Sequence, residues 1–143
     1  MNIFNNYSNQ DKYLILVRKL KEAFLSFHSD LIEVFPKGNN LFMQYIVVNQ
    51  LPDTCLYKIL QKNINIELIE IEDEYYLKNN LILLKDYEKY LNEIDSVKKY
   101  FEFSQILNSD NNNNILFEEN KEMIWKWLKI FTIMIKNIDI VYK

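Results

Sequence analysis

A run of carboxylates followed by two tyrosines contains the residue types in this sequence that could most directly do chemistry. Five acidic side chains fall within eight residues, and two aromatic residues follow at once. Hard cations take carboxylate oxygens as ligands, and carboxyl groups serve as general acids and bases. The run lacks the glycine and the ligand spacing of a calcium-binding loop. Its members are Glu67, Glu70, Glu72, Asp73, Glu74, Tyr75 and Tyr76.

Three interpretations of this cluster stay open: a metal or catalytic site, the solvated end of a strand, and a protein-binding surface. Residues 63–110 carry eleven acidic and five basic side chains, whereas the net charge of the whole chain is −3. Carboxylates beside aromatic rings combine an electrostatic field with rigid apolar area, a mixture that suits a protein interface. We therefore expect the cluster to bind another protein, one with a basic surface.

Other candidates for catalysis are few, because the chain has one histidine and one cysteine. It contains no glycine-rich phosphate loop, no nucleophile elbow and no Cys/His metal spacing. His28 falls where the first predicted helix ends, so an imidazolium there would interact favourably with the helix dipole. The alternative is an isolated acid–base residue that needs a partner from elsewhere in the fold. Cys55 is interpreted as a small core residue. From this inventory we expect a protein that is not an enzyme and that binds no metal or cofactor.

Nucleic acid and membrane are both disfavoured as partners. Arg18 is the only arginine, and no more than two basic residues are adjacent anywhere; phosphate binding requires clusters of such residues. Arg18, Lys19 and Lys21 are interpreted as the solvated face of a helix. Lys126 and Lys129 interrupt the longest apolar stretch, which is shorter than the ~18–20 residues of a membrane span. With no signal-peptide pattern and a lone cysteine, a cytoplasmic location is expected.

The element expected to organise the fold is a helix over residues 118–136. Its apolar residues cover most of its circumference, so it should be buried on nearly all sides. Trp125 and Trp127 are two residues apart and point to different sides of it, and core packing is favoured for both. An exposed tryptophan would instead mark an interface. The polar residues of this helix form one stripe: Glu122, Lys126, Lys129 and Lys136.

Three further helices are predicted. The first is capped by Ser8 or Asn9, and its apolar residues recur at three- and four-residue steps from Tyr13 to Phe27. A short helix runs from Pro52 to about Lys62. A longer one covers residues 84–107.

Runs of apolar and β-branched residues between these helices predict strands. Leu31–Phe35 and Leu41–Val48 flank the turn residues Pro36–Asn40 and indicate a β-hairpin. Ile64–Ile71 is predicted as a strand, and residues 108–114 as a polar surface loop. Tyr75–Leu77 and Leu81–Leu84 indicate a second hairpin, unless the latter begins the following helix; Ile138–Tyr142 is either an edge strand or a continuation of the last helix.

Together these elements predict a single domain over residues 1–143 with an α+β fold: an antiparallel sheet of about 4–5 strands with long helices packed on one face. The expected function is a small non-enzymatic protein-binding domain, such as an inhibitor, an immunity protein or antitoxin, or a viral or phage antagonist. The alternative is a structural subunit of a larger assembly that uses its apolar C-terminal helix as interface, including with copies of itself. A third hypothesis is an enzyme with a carboxylate or His28 site.

Overall fold

The computed structural model describes residues 8–34, 39–77 and 111–142, and the regular elements within these ranges are helices. No strand occurs in them, so the predicted α+β fold with an antiparallel sheet is wrong, and the fold is helical. The helices are α1 (Asn9–Val34), α2 (Asn39–Gln50), α3 (Asp53–Asn63), α4 (Ile66–Glu70) and α5 (Asn111–Tyr142).

The two long helices, α1 and α5, pack along each other in antiparallel orientation. The ring of Phe27 lies 5.4 Å from that of Phe131, and the ring of Tyr13 lies 5.1 Å from that of Tyr142. The later residue of α1 thus contacts the earlier residue of α5, and the earlier residue of α1 contacts the later one, as antiparallel packing requires. Ser8 caps α1, since its hydroxyl accepts a hydrogen bond of 3.1 Å from the backbone N–H of Asp11. The helices predicted here are confirmed, and each is longer than expected.

The helices α2 and α3 cover α1 one after the other and are separated at Pro52. Proline has no backbone N–H with which to continue a helix, so α2 ends before Pro52 and α3 begins after it. In α2, the side chain of Gln44 reaches His28 of α1. In α3, the ring of Tyr57 lies 5.8 Å from that of Tyr13, nearer the start of α1. The short helix predicted after Pro52 is confirmed.

The predicted hairpin formed by Leu31–Phe35 and Leu41–Val48 is wrong. Leu31 is buried and extends the apolar stripe of α1, four residues after Phe27. In α2, the buried side chains keep helical spacing even though several are β-branched, because strand propensity is weak compared with burial. These side chains are Gln44, Val47 and Val48, and buried Leu51 follows directly after the helix. Phe35 of the predicted strand and residues 36–38 of the predicted turn lie outside the described ranges, and Asn39 and Asn40 belong to α2.

The predicted strand Ile64–Ile71 is also wrong, because this stretch contains the capped helix α4. The Asn65 side chain accepts a hydrogen bond of 3.1 Å from the Leu68 N–H at the first turn. At the other end, Glu72 has φ 55, and its N–H donates to the carbonyl of Ile69 at 3.1 Å. The Asp73 N–H donates to the carbonyl of Leu68 at 3.0 Å. These two bonds form a Schellman motif, which closes the helix.

The remaining predictions fall partly outside the described ranges. Tyr75–Leu77 forms a helical turn rather than a hairpin strand, whereas residues 81–84, the helix over 84–107 and residues 108–110 are not described. The loop prediction is wrong for Asn111–Asn114, which begin α5. Ile138–Tyr142 continues α5, so the helical alternative is confirmed. The single domain over residues 1–143 stays a prediction.

The core lies between α1, α2, α3 and α5. Both tryptophans pack on it: Trp125 is buried, and Trp127 is partly buried against the same cluster. Core packing of these residues is confirmed. The most enclosed large side chains of the core include Leu20, Phe24, Phe27, Tyr57 and Phe131.

Candidate protein-binding surface

Glutamates of the predicted cluster lie beside α5 and form ion pairs with its lysines. The Nζ of Lys136 is 2.7 Å from a carboxylate oxygen of Glu70, and two further pairs follow along the helix. We call this set the charge ladder, and its three rungs are Lys121–Glu74, Lys129–Glu72 and Lys136–Glu70.

The ladder has two parallel columns of opposite sign. Successive lysines are eight and seven residues apart, or about two helical turns, so all three lie on one side of α5. The glutamates follow in reverse order along the chain, from Glu74 to Glu70. All six side chains are partly exposed, and exposed pairs contribute only about 0–1 kcal/mol each. The ladder therefore orients the end of α4 and the residues that follow it, without being a main source of stability.

The ladder changes the electrostatics that the sequence suggests. Each of Glu70, Glu72 and Glu74 has a lysine beside it, and Lys121 also lies 3.0 Å from Glu118. Charges of opposite sign this close largely cancel beyond a Debye length, which is about 8 Å at physiological salt. These three glutamates therefore add no net negative charge, and they do not support the expectation of a basic partner.

The other members of the predicted cluster have different surroundings. Glu67 is exposed in the first turn of α4. The carboxylate of Asp73 accepts a hydrogen bond of 2.7 Å from the N–H of Tyr76 and caps the next helical turn. Tyr76 is buried, its hydroxyl accepts a hydrogen bond of 2.9 Å from the Asn65 N–H, and burial raises its pKa. Tyr75, which is 70% exposed, supplies the aromatic surface instead.

Exposed isoleucines lie close to the rungs along the chain, and none of them belongs to the cluster predicted from the sequence. Ile133 is 59% exposed and lies between Lys129 and Lys136 on the same side of α5. Ile71 is 70% exposed and lies between Glu70 and Glu72. Ile140, one turn beyond Lys136, is 74% exposed. The charge ladder together with Ile71, Tyr75, Ile133 and Ile140 is named the ladder face.

His28 is buried in α1 rather than located at a helix end, so its predicted interaction with the dipole is wrong. It is 1% exposed, with Nδ1 2.9 Å from the Phe24 carbonyl oxygen and Nε2 3.0 Å from the side-chain amide of Gln44. Burial lowers its pKa, so the ring is neutral and donates from one nitrogen only. Nδ1–H then donates to the Phe24 carbonyl, whereas the atom placed 3.0 Å from Nε2 is the Gln44 Oε1, itself an acceptor. A neutral ring therefore requires the Gln44 amide to be turned so that its NH2 group donates to Nε2. The ring thus links α1 to α2 and helps to fix their packing.

Lys21 joins three helices and is not the solvated residue that its sequence suggests. Its ammonium donates to the carbonyl oxygens of Asn49 at 2.9 Å and Leu51 at 2.6 Å, at the end of α2. It also lies 3.6 Å from a carboxylate oxygen of Asp53 in α3. Cations at the negative end of a helix dipole are stabilising. Arg18 is exposed as predicted.

A hydrogen-bonded network joins α3 to the end of α5. The hydroxyl of Tyr57 donates to the carboxylate of Asp139, and the Gln61 amide donates to the same oxygen at 2.8 Å. Burial, together with Asp139, raises the pKa of Tyr57. Tyr57 is therefore an un-ionised hydrogen-bond donor at neutral pH. Partners 82 positions apart in the chain leave no local signal in the sequence.

Groups suited to metal binding are not assembled in the part of the chain that the structure describes. No set of three or more His, Cys, Asp or Glu side chains there could hold an ion. Cys55 is partly buried in the first turn of α3. Among the helices of the described ranges, none is both long and apolar enough to cross a membrane.

Comparisons with known proteins leave the chain without an assigned relative. It matches no protein-family model, no curated protein and no solved structure. The function proposed for it therefore depends on the residues and geometry described above.

Proposed function

We propose that this chain is a non-enzymatic protein-binding domain and that the ladder face is its binding surface. The observation that carries the proposal is the exposure of Ile71, Ile133 and Ile140 among paired charges. Apolar side chains that are exposed together and rimmed by polar groups are typical of interaction sites. Buried apolar area supplies the affinity of such a site, and the polar rim supplies specificity.

The chemistry of the ladder face supports binding rather than catalysis. Its polar side chains are carboxylates and ammonium groups that already pair with one another. Tyr75 adds a large, rigid ring, of the kind enriched among residues that dominate binding energy. The titratable groups with shifted pKa values, such as His28 and Tyr57, are buried elsewhere and hydrogen-bonded to structural partners.

Inhibitors and immunity proteins act by occupying the surface of a partner, and the ladder face is suited to that role. A structural subunit is the second candidate, and the exposure of Ile133 and Ile140 favours it. Both belong to the longest helix and lie seven residues apart on one side of it. A partner helix laid along α5 would contact both.

Site-specific photo-cross-linking in the host tests the proposal. A photoreactive residue is placed at Ile133 in one variant and at Phe42 of α2 in another, because Phe42 is also exposed and apolar, at 57%. We expect a defined protein adduct from position 133 and none of the same identity from position 42. Adding Ile71→Glu and Ile140→Glu to the first variant should abolish the adduct. Equal labelling from both positions, or no adduct from position 133, would contradict the proposal.

A further inference from the structure

We infer that the ladder face binds a second copy of this chain, because its charge pattern is complementary to itself. The inference rests on the proposed function and names the partner. Its basis is the placement of two parallel columns, lysines on α5 and glutamates at the end of α4 and just after it, with an exposed isoleucine in each.

A two-fold axis parallel to these columns brings opposite charges together. Rotation by 180° about that axis exchanges the sides on which the lysine column and the glutamate column lie. It leaves the position of each residue along the α5 axis unchanged. The lysine column of one copy then faces the glutamate column of the other at the same height. This is the isologous contact of a symmetric dimer, in which residue i meets residue j and residue j meets residue i.

The register of the ladder places specific residues opposite each other in this dimer. Lys129 faces Glu72 of the second copy, and Lys136 faces Glu70 of the second copy. Ile133 lies between the two lysines, and Ile71 lies between the two glutamates, so Ile133 faces Ile71 of the second copy. The apolar contact is thereby enclosed by charges that alternate in sign, and each charge keeps its own partner within the chain.

The alternative symmetric arrangement is disfavoured by the same charges. A two-fold axis perpendicular to the columns would place lysine opposite lysine and glutamate opposite glutamate. Like charges facing each other across an interface oppose association and so select against the wrong orientation. The ladder thus specifies parallel α5 helices, while burial of the isoleucines drives association.

Sedimentation velocity on the full chain, from micromolar to hundreds of micromolar, tests this inference. The wild type should sediment at twice the mass of the 143-residue chain as concentration rises. Lys129→Glu and Glu72→Lys, each alone, should weaken self-association by about tenfold or more, since each places like charges opposite each other. An equimolar mixture of the two variants should dimerise again, because each variant supplies the charge that the other lacks.

The double variant Lys129→Glu/Glu72→Lys controls for a loss of dimer that is caused by misfolding. It retains the ion pair within the chain with its signs reversed. It should form a dimer with itself but not with the wild type, which can be measured by labelling one of the two. Circular dichroism checks that every variant is helical. Ile133→Glu should abolish the dimer, whereas Phe42→Glu should leave it intact.

Two results would overturn the inference. One is a wild type that stays monomeric throughout the concentration range; the other is self-association that the charge reversals do not alter. Neither result would contradict the proposed function, because cross-linking from position 133 to a different host protein would still support it. A lack of any adduct in the host, with a monomeric chain in solution, would contradict both.

Discussion

Trp127 of α5 donates its indole N–H to a carboxylate oxygen of Asp30 in α1, at 2.8 Å. Its ring lies 6.2 Å from Phe27 and stacks on Phe131 at 6.0 Å. The indole therefore packs on the core and satisfies its one polar group at the edge. Its partial exposure reflects this position at the α1–α5 boundary, so Trp127 stabilises the helix pair and is not the binding surface.

Replacing Asp30 tests this relationship. Asp30→Ala leaves the partly buried indole N–H without its acceptor, so we expect the free energy of unfolding to fall by about 1–3 kcal/mol. Glu33→Ala, at an exposed position of the same helix, should change it by less than about 0.5 kcal/mol. Urea denaturation measures both. Equal losses in the two variants would show that the hydrogen bond does not stabilise the fold.

Glu72 occupies a backbone conformation that usually requires glycine. Its φ of 55 lies in the left-handed region, which costs a residue with a β-carbon roughly 1–2 kcal/mol. We therefore expect Glu72→Gly to be more stable to urea than Glu72→Ala by about 1 kcal/mol. Both variants lack the ion pair with Lys129, so their difference isolates the backbone effect.

The same pair of substitutions at Lys126 is the matched control for Glu72. Lys126 is exposed within α5, where glycine should be less stable than alanine by about 1 kcal/mol. The sign of the difference should therefore reverse between the two positions. If alanine is the more stable residue at both, the left-handed conformation of Glu72 is not a source of strain.

The helices that could be predicted from the sequence are those with a long apolar stripe. In α1 the stripe runs through Val17, Leu20, Phe24 and Phe27, all of which are buried. A period this regular over many residues is difficult to mistake for a strand. The last helix is as clear for the same reason, although its first residues, Asn111–Asn114, contain no apolar side chain to reveal them.

The sequence predicts strands where α2 and α4 lie, because the helical signals of these two segments are short. In α2, buried Gln44 interrupts the apolar pattern, and its hydrogen-bonding partner His28 lies 16 positions earlier in the chain. In α4, Asn65 is a recognisable cap, but the residue after the C-cap is Glu72 rather than the glycine that usually marks a helix end. Alternating isoleucines within so short a segment fit either structure.

The sequence located the acidic cluster but could not predict its partners. Lys136 follows Glu70 by 66 positions, and Lys121 follows Glu74 by 47. Contacts at this separation depend on how α4 packs against α5, which no local pattern encodes. The exposure of Ile133, by contrast, has a local signal in the sequence. It continues the polar stripe of α5 at a spacing of four after Lys129 and three before Lys136.

The buried ring of His28 predicts a specific pH dependence of stability. Burial lowers its pKa in the folded state, so below about pH 6.5 the unfolded chain binds a proton that the folded chain does not. The free energy of unfolding should be constant above that pH and fall as the pH drops, by up to roughly 1.4 kcal/mol per unit. Urea denaturation between about pH 5.5 and 8 measures this slope.

His28 is the only histidine of the chain, so the slope can be assigned to it. His28→Gln should flatten the dependence between about pH 5.5 and 6.5, whatever its effect on the stability at neutral pH. In the proton NMR spectrum of the wild type, the single imidazole signal should keep its neutral chemical shift below pH 6.5. A signal that titrates at the ordinary value would show that the ring is accessible to solvent.

Tyr57 should stay un-ionised in the folded protein at a pH where the unfolded chain ionises it. Burial and the charge of Asp139 raise its pKa above the ordinary value of 10.0. The stability due to this group is present below that pH and is lost as the pH rises through the folded-state value. Tyr57→Phe should thus reduce the near-ultraviolet ionisation signal near pH 10–11 in urea but not in the folded state. Asp139→Asn, which removes the charge, should lower the pH at which folded Tyr57 ionises; an unchanged titration would show that Asp139 does not act on it.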